Sequence, residues 1–162
     1  MGVQYKRMIH SFKEHYLLEV SQDEIVVSFG RFNPPTNGHE KLLDKVSSVS
    51  KGATYKVYAS QSEDPKKNPL SYKDKIKFMR KMFPKHARNI IFDKKIRTLF
   101  DVLGKAHSDG FIKLTVVVGS DRVSEFDKML NKYNGKKGGH GFYDFDGGVN
   151  VVSAGERDPD SD

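Results

Sequence analysis

The 162-residue sequence contains neither cysteine nor tryptophan. The absence of cysteine excludes disulfides, thiolate nucleophiles, iron–sulfur clusters and cysteine-ligated zinc. The sequence also lacks an apolar run near the roughly 20 residues that a membrane-spanning helix requires. Its first twenty residues carry charges throughout, unlike the apolar segment of a signal peptide. We therefore expect one soluble, cytoplasmic domain, since the length suits a single domain and no membrane partner is indicated.

The positive charge is concentrated in one segment. The formal net charge is +7, but the segment Lys66–Arg97 holds twelve basic and two acidic residues, a local charge of +10, and the rest of the chain sums to −3. Such a block indicates a polyanionic partner, either nucleotide phosphates or a nucleic acid. It fits equally a solvated helix whose lysines occupy the faces left by its apolar stripe. Charge alone leaves both interpretations open.

Short β-rich runs alternate with helical apolar stripes. Strands are predicted at 25–29, 55–60, 90–92, 114–118 and 149–152, and helices at 36–50, 71–83, 97–107 and from about 123. This alternation predicts an α/β, Rossmann-like, doubly wound parallel sheet of about five strands with helices on both faces. Residues 1–22 are predicted to form an N-terminal amphipathic helix, and residues 23–162 the domain itself.

Three polar loops follow predicted strands, at 30–39, 60–68 and 119–122. Ligands of doubly wound sheets lie outside the carboxyl ends of the strands, so these loops are expected to converge on one site. The first loop, GRFNPPTNGH, leads into a helix whose N-terminal dipole favours phosphate. Thr36 is predicted to cap that helix beside His39, and Gly38 removes a side chain where a ligand approaches the backbone.

These residues resemble the signature of the nucleotidylyltransferase superfamily, whose H/T-x-G-H motif is matched by Thr36-Asn37-Gly38-His39. The preceding Gly30-Arg31-Phe32-Asn33-Pro34 is similar to archaeal-type nicotinamide mononucleotide adenylyltransferases. Ser60-Gln61 and Asn68-Pro69 stand where that type carries S-A-Q and N-P-F-T, and Gly119-Ser120-Asp121 looks like its G-x-D. From about residue 24 to 158 the chain is also similar to nucleotidyltransferase proteins of large tailed bacteriophages, which would act in the host cytoplasm.

The resemblance implies transfer of a nucleoside monophosphate, with AMP expected, from a nucleoside triphosphate to a phosphate-bearing acceptor such as nicotinamide mononucleotide. Pyrophosphate is the other product. The catalytic residues it implies are His39, Thr36, Arg31 and Lys41. The nucleotide-binding residues it implies are Gly30, Arg31, Phe32, Asn33, Thr36, Gly38, His39, Gly119, Ser120 and Asp121, and the acceptor-binding residues are Ser60, Gln61 and Asn68. No metal ligands are predicted, because Mg²⁺ is expected to arrive with the nucleotide.

Two alternatives remain open. One is a CTP-dependent cytidylyltransferase that acts on a small phosphorylated alcohol. The other is a nucleotide-binding or nucleic-acid-binding module without turnover, which the segment Lys66–Arg97 favours. A departure from the family pattern also favours it: nothing in residues 153–162 matches the S-x-x-R motif that holds the β and γ phosphates in family members. The domain is therefore expected to lack the helix that begins with that motif.

Overall fold

The computed structural model describes residues 23–155 except Asn33, residues 63–69 and His140. The helix predicted over residues 1–22 lies outside the described residues. The described elements are, in chain order, β1 (Glu24–Gly30), α1 (His39–Ser50), β2 (Thr54–Ala59), α2 (Tyr72–Met82), α3 (Leu99–Ser108), β3 (Lys113–Val118), α4 (Val123–Lys132) and β4 (Val149–Ser153), with 3₁₀ turns at Pro84–Asn89 and Ser120–Arg122. None of the described helices is long and apolar enough to cross a membrane.

The strands form one parallel sheet in the order β2-β1-β3-β4. Consecutive strands extend first to one side of β1 and then to the other, so the sheet is doubly wound, as the sequence predicts. The fifth strand, predicted at 90–92, is reduced to a single parallel bridge between Ile90 and Val57 on the outer edge of β2. Beyond that bridge the hydroxyl of Tyr72 on α2 bonds to backbone groups of Ile91 and Asp93. The end of this stretch is therefore held by α2 and does not extend the sheet.

Two helices cover each face of the sheet. Alternate strand residues point to opposite faces, and each set is buried against its own pair of helices. The α1 and α2 face includes Val26, Leu43, Val46, Val57, Ile76 and Met79. The α3 and α4 face includes Ile25, Val27, Leu103, Val116, Leu130 and Tyr143. This three-layer arrangement fixes the carboxyl edge of the sheet as the surface on which the loops meet.

The sheet opens between its two central strands at that edge. The register of β1 with β3 ends at Val27↔Val116. On the outer sides, β1 pairs with β2 as far as Gly30↔Ala59, and β3 pairs with β4 as far as Val118↔Ser153. The two central strands therefore part at the point where the strand order reverses, which is where doubly wound folds bind ligands.

A buried histidine attaches α1 to β2. His86 is 3% exposed, and its two ring nitrogens lie 2.7 Å from Oδ1 of Asp44 on α1 and 2.9 Å from the hydroxyl of Tyr55 on β2. Lys85 adds a longer ion pair with Asp44 at 3.6 Å. The hydrogen bond from His86, helped by the charge of Lys85, holds the pKa of Asp44 below its ordinary value of 3.8.

Asp44→Asn tests this attachment. A carboxylate whose pKa is lower in the folded state stabilises the fold above its unfolded pKa, and that contribution is lost as the pH falls through the folded pKa. We expect the variant to be about 0.5–1 kcal/mol less stable at pH 7, since Asp44 is half exposed. In urea unfolding the difference should shrink below pH 3.8. Asp146→Asn, at an exposed carboxylate, is the control; a pH-independent difference would contradict the pairing.

Candidate active site

The turn that precedes α1 holds His39 in one orientation. The helix begins at His39 with Gly38 as its N-cap, and no side chain caps it. The predicted capping role of Thr36 is therefore wrong. Thr36 instead donates its backbone N–H to Nδ1 of His39 at 2.9 Å, and its hydroxyl oxygen lies 3.2 Å from the same nitrogen. The N–H of His39 returns a bond to the carbonyl of Thr36 at 3.0 Å, so the turn closes on itself before the helix starts.

This turn fixes the tautomer of His39. A backbone N–H can only donate, so Nδ1 must accept and the neutral ring carries its proton on Nε2. An Nε2–H group at the start of a helix is a suitable donor to a phosphate oxygen, and the helix dipole there favours the same negative charge. The geometry leaves Nε2–H as the donor of the ring, and the role of His39 toward a phosphate stays a prediction.

Phe32 shapes the loop from inside the core. Its ring is 2% exposed and meets the ring of His39 edge-on, with centroids 4.8 Å apart. Its φ of 49° is in the left-handed region, which costs free energy for a residue other than glycine. A Cβ at Gly30 would lie 3.0 Å from the Phe32 ring, so glycine leaves space for this packing. The ring lies in the core, where it can position His39; it does not line the opening of the sheet.

A buried lysine that the sequence analysis missed connects two of the site loops. Lys75 on α2 is fully buried, and its ammonium group donates to the carbonyls of Arg31 and Ser60, both at 2.9 Å. The expectation that all lysines of this helix occupy its remaining faces is therefore wrong for Lys75. The signal was present in the spacing, since position 75 falls within the apolar stripe of Tyr72, Ile76 and Met79.

The loop after β2 lies beside the loop after β1. The N–H of Ser60 donates to the carbonyl of Gly30 at 2.8 Å, which extends the ladder by one step. The amide nitrogen of Gln61 donates to the carbonyls of Asp93, Lys94 and Ile96 at 2.8–3.3 Å. This nitrogen therefore holds the neighbouring turn in place. Asn68 and Asn33 lie outside the described residues, so their predicted roles remain predictions.

The loop after β3 presents a carboxylate. Gly119 lies three residues beyond Val116, as Gly30 lies three beyond Val27, so the two glycines are level on either side of the opening. Asp121 folds back over Gly119, where an added Cβ would lie 2.9 Å from its Oδ1. Ser120 and Asp121 are exposed, as are the cations Arg31 and Lys41 near the first loop. Among the described residues, no three acidic or histidine side chains cluster to hold a metal ion.

The fold and this edge define an α/β domain with a hydrogen-bonded histidine turn at its switch point. A sequence profile of the cytidylyltransferase-like family matches residues 27–144, which include both the Thr36–His39 turn and Gly119–Asp121. The chain belongs to the cytidylyltransferase-like family. Membership supports the nucleotidylyltransferase superfamily and a nucleotidyltransferase activity in general, whereas the closer resemblance to adenylyltransferases and phage proteins stays a prediction. Comparison with curated proteins and with solved structures gave no match.

Lys75→Met tests the buried connection between the loops. The change keeps most of the side-chain volume but leaves the carbonyls of Arg31 and Ser60 without the ammonium donor. We expect a loss of about 1–3 kcal/mol in the free energy of unfolding, measured with urea. Lys77→Met, at an exposed position on the same helix, is the matched control and should stay within about 0.5 kcal/mol of the parent. Equal stabilities for the two variants would mean that the Lys75 bonds contribute nothing.

Proposed function

We propose that this protein transfers a nucleoside monophosphate from a nucleoside triphosphate to a phosphate-bearing acceptor and releases pyrophosphate. The observation that carries the proposal is the bond from the Thr36 N–H to Nδ1 of His39, which leaves the proton on Nε2. That donor stands at the start of α1, beside the opening between β1 and β3. Membership of the cytidylyltransferase-like family supports the same class of reaction.

In the proposed step an acceptor phosphate oxygen attacks the α-phosphorus in line, and the bond from that phosphorus to the bridging oxygen breaks. The electron pair leaves with pyrophosphate. Phosphate acceptors are already ionised near neutral pH, so the step needs no strong general base. Catalysis then depends on positioning and on charge stabilisation, with His39 as the donor to the phosphate that reacts. The exposed side chains of Arg31 and Lys41 supply the further positive charge.

The remaining residues have supporting roles in this proposal. Lys75 holds the backbone of Arg31 and Ser60, so the loops after β1 and β2 keep a fixed spacing while the substrates exchange. Asp121 is the exposed carboxylate at the end of β3. A single carboxylate suits Mg²⁺ that is held mainly by the nucleotide, because such sites use one or two carboxylates together with substrate phosphates. Bound in this way, the ion would neutralise charge on the phosphates.

For the substrates, we propose ATP as the donor and a mononucleotide such as nicotinamide mononucleotide as the acceptor. The Gly30–Pro34 and Ser60-Gln61 segments support this choice by their resemblance to adenylyltransferases. The second candidate is CTP with a small phosphorylated alcohol, which the description of the matching family favours.

One substrate panel tests the reaction and separates these candidates. Each of the four nucleoside triphosphates is combined with nicotinamide mononucleotide or with glycerol 3-phosphate in the presence of Mg²⁺, and pyrophosphate release is measured. ATP with the mononucleotide should give the highest rate. A higher rate for CTP with the phosphorylated alcohol would overturn the proposed substrates, while the proposed nucleotidyl transfer would stand. Nucleotide binding without pyrophosphate from any pair would overturn the transfer and favour a binding module.

His39 variants test the donor. His39→Ala should lower kcat by about 10²–10³-fold, the scale for loss of one transition-state donor. The variants His39→Asn and His39→Gln form a more specific test than His39→Ala. Gln can bring its amide nitrogen near the position of Nε2, whereas Asn reaches only as far as Nδ1 and can still accept from Thr36. His39→Gln should therefore retain more turnover than His39→Asn. Near-normal turnover of the Asn variant would remove His39 from the mechanism.

A further inference from the structure

A groove on α2 shares no lining residue with the His39 turn. We call it the α2 groove; it encloses about 510 Å³ and is lined by Lys73, Ile76, Lys77, Arg80, Lys81 and Phe92. Its three lysines, at positions 73, 77 and 81, follow one another at four-residue intervals along a single face of the helix. Since each residue of a helix rises about 1.5 Å, the row extends over roughly 12 Å. A polyanion longer than one nucleotide can therefore contact all three lysines.

The charges of the groove are not neutralised from within. The four cations of the groove are Lys73, Lys77, Arg80 and Lys81. Among the described residues, none of the four takes part in an ion pair. The acidic residues nearest in sequence are Asp74 and Asp93, and the carboxylate of Asp93 accepts a bond from the backbone N–H of Lys95. The guanidinium of Arg80 is held in place by two bonds to the carbonyl of Ile90, at 2.7 and 3.1 Å. The groove thus combines one cation held by hydrogen bonds with a row of three exposed lysines.

The aromatic wall of the groove is also fixed. The ring of Phe92 stacks on Tyr72 with centroids 5.1 Å apart and an interplanar angle of 22°. Tyr72 is 7% exposed and its hydroxyl is hydrogen-bonded to the backbone, whereas Phe92 remains 39% exposed. An apolar ring held rigidly beside unpaired cations is a combination that suits an unstacked base next to its phosphates. An acidic protein surface would match the charges but has no equivalent use for the ring.

We propose that the α2 groove binds single-stranded nucleic acid. A base stacks on Phe92, and backbone phosphates contact Lys73, Lys77, Arg80 and Lys81. Sequence preference is expected to be weak, because stacking and phosphate contacts are available to every base. None of the residues that line the groove has a role in the proposed nucleotidyl transfer, so this proposal does not depend on the proposed function.

The charge contribution is measured by fluorescence anisotropy with a labelled single-stranded RNA of about 12 nucleotides. The logarithm of the association constant should decrease linearly with the logarithm of the salt concentration, with a slope of about −0.7 per phosphate contacted. The double variant K77E/K81E should bind at least tenfold more weakly and with a shallower slope. K45E/K128E, which reverses two exposed lysines elsewhere, is the matched control and should change affinity much less. Equal losses in the two double variants would overturn the proposed location.

The stacking contribution separates nucleic acid from other polyanions. Phe92→Ala should weaken RNA binding about tenfold, Phe92→Tyr should restore it, and heparin affinity should be the same in both variants. Single-stranded RNA should bind more tightly than a duplex of equal length, whose bases are already stacked. An unchanged RNA affinity of Phe92→Ala, or equal affinity for single strand and duplex, would show a charged patch only and overturn the proposal. Thermal unfolding of each variant verifies that it is folded.

The RNA-binding assay and the pyrophosphate-release assay together distinguish the two sites. His39→Ala should bind the RNA as the parent does, and the groove variants should release pyrophosphate from small substrates at the parental rate. Failure of RNA binding in the parent protein would overturn this proposal alone. Absence of pyrophosphate release with intact RNA binding would overturn only the proposed function.

Discussion

The parting of β1 and β3 after Val27 and Val116 is the constraint on which the rest of the site depends. Each strand continues its ladder with its outer neighbour, so the carboxyl edge opens at the centre of the sheet without loosening the two flanking pairs. The two glycines at the rims differ in what surrounds them. A Cβ at Gly30 would press on the buried ring of Phe32, whereas a Cβ at Gly119 would meet the end of the exposed Asp121 side chain, which can turn away. Packing around the opening therefore favours glycine more strongly at position 30 than at position 119.

Two buried polar groups hold the loops and the helix beside this opening in place. The Lys75 ammonium holds the backbone of the loops after β1 and β2, and His86 connects the side of α1 to β2. Burying charged or polar groups is costly unless their partners are well placed, and here the partners lie at 2.7–2.9 Å. Both groups fix elements that carry the His39 turn. The buried polar groups Lys75 and His86 therefore lie where they hold a site loop or helix in position. Apolar side chains form the rest of the core.

The sequence predicts the fold well because its strongest signals are local. The β-branched runs of β1 and β3 and the apolar stripes of the helices are each readable within a few residues, and alternation determines the parallel, doubly wound sheet. The errors arise where another contact, local for Thr36 and tertiary for the run at 90–92, replaces the one that local preference predicts. Thr36 has the side chain of a cap but bonds to His39, and the run at 90–92 has the composition of a strand but is held by Tyr72. The Thr36–His39 motif indicates the class of chemistry. The tautomer of His39 follows from a contact that only the structure shows, the bond from the Thr36 N–H to Nδ1.

The basic segment shows why a charge count is a poor guide to binding. Its cations have different environments: Lys75 is buried against carbonyls, and Lys85 pairs with Glu40 and Asp44 at 3.9 and 3.6 Å. The guanidinium of Arg80 is bonded to a carbonyl yet faces the groove. The four cations that line the α2 groove form no ion pair within the described part of the chain and lie beside the exposed ring of Phe92, so they can exchange counterions for phosphates. The two opposite surfaces of α2 therefore differ: one holds the loops after β1 and β2 through Lys75, and the other carries the cations that surround Phe92.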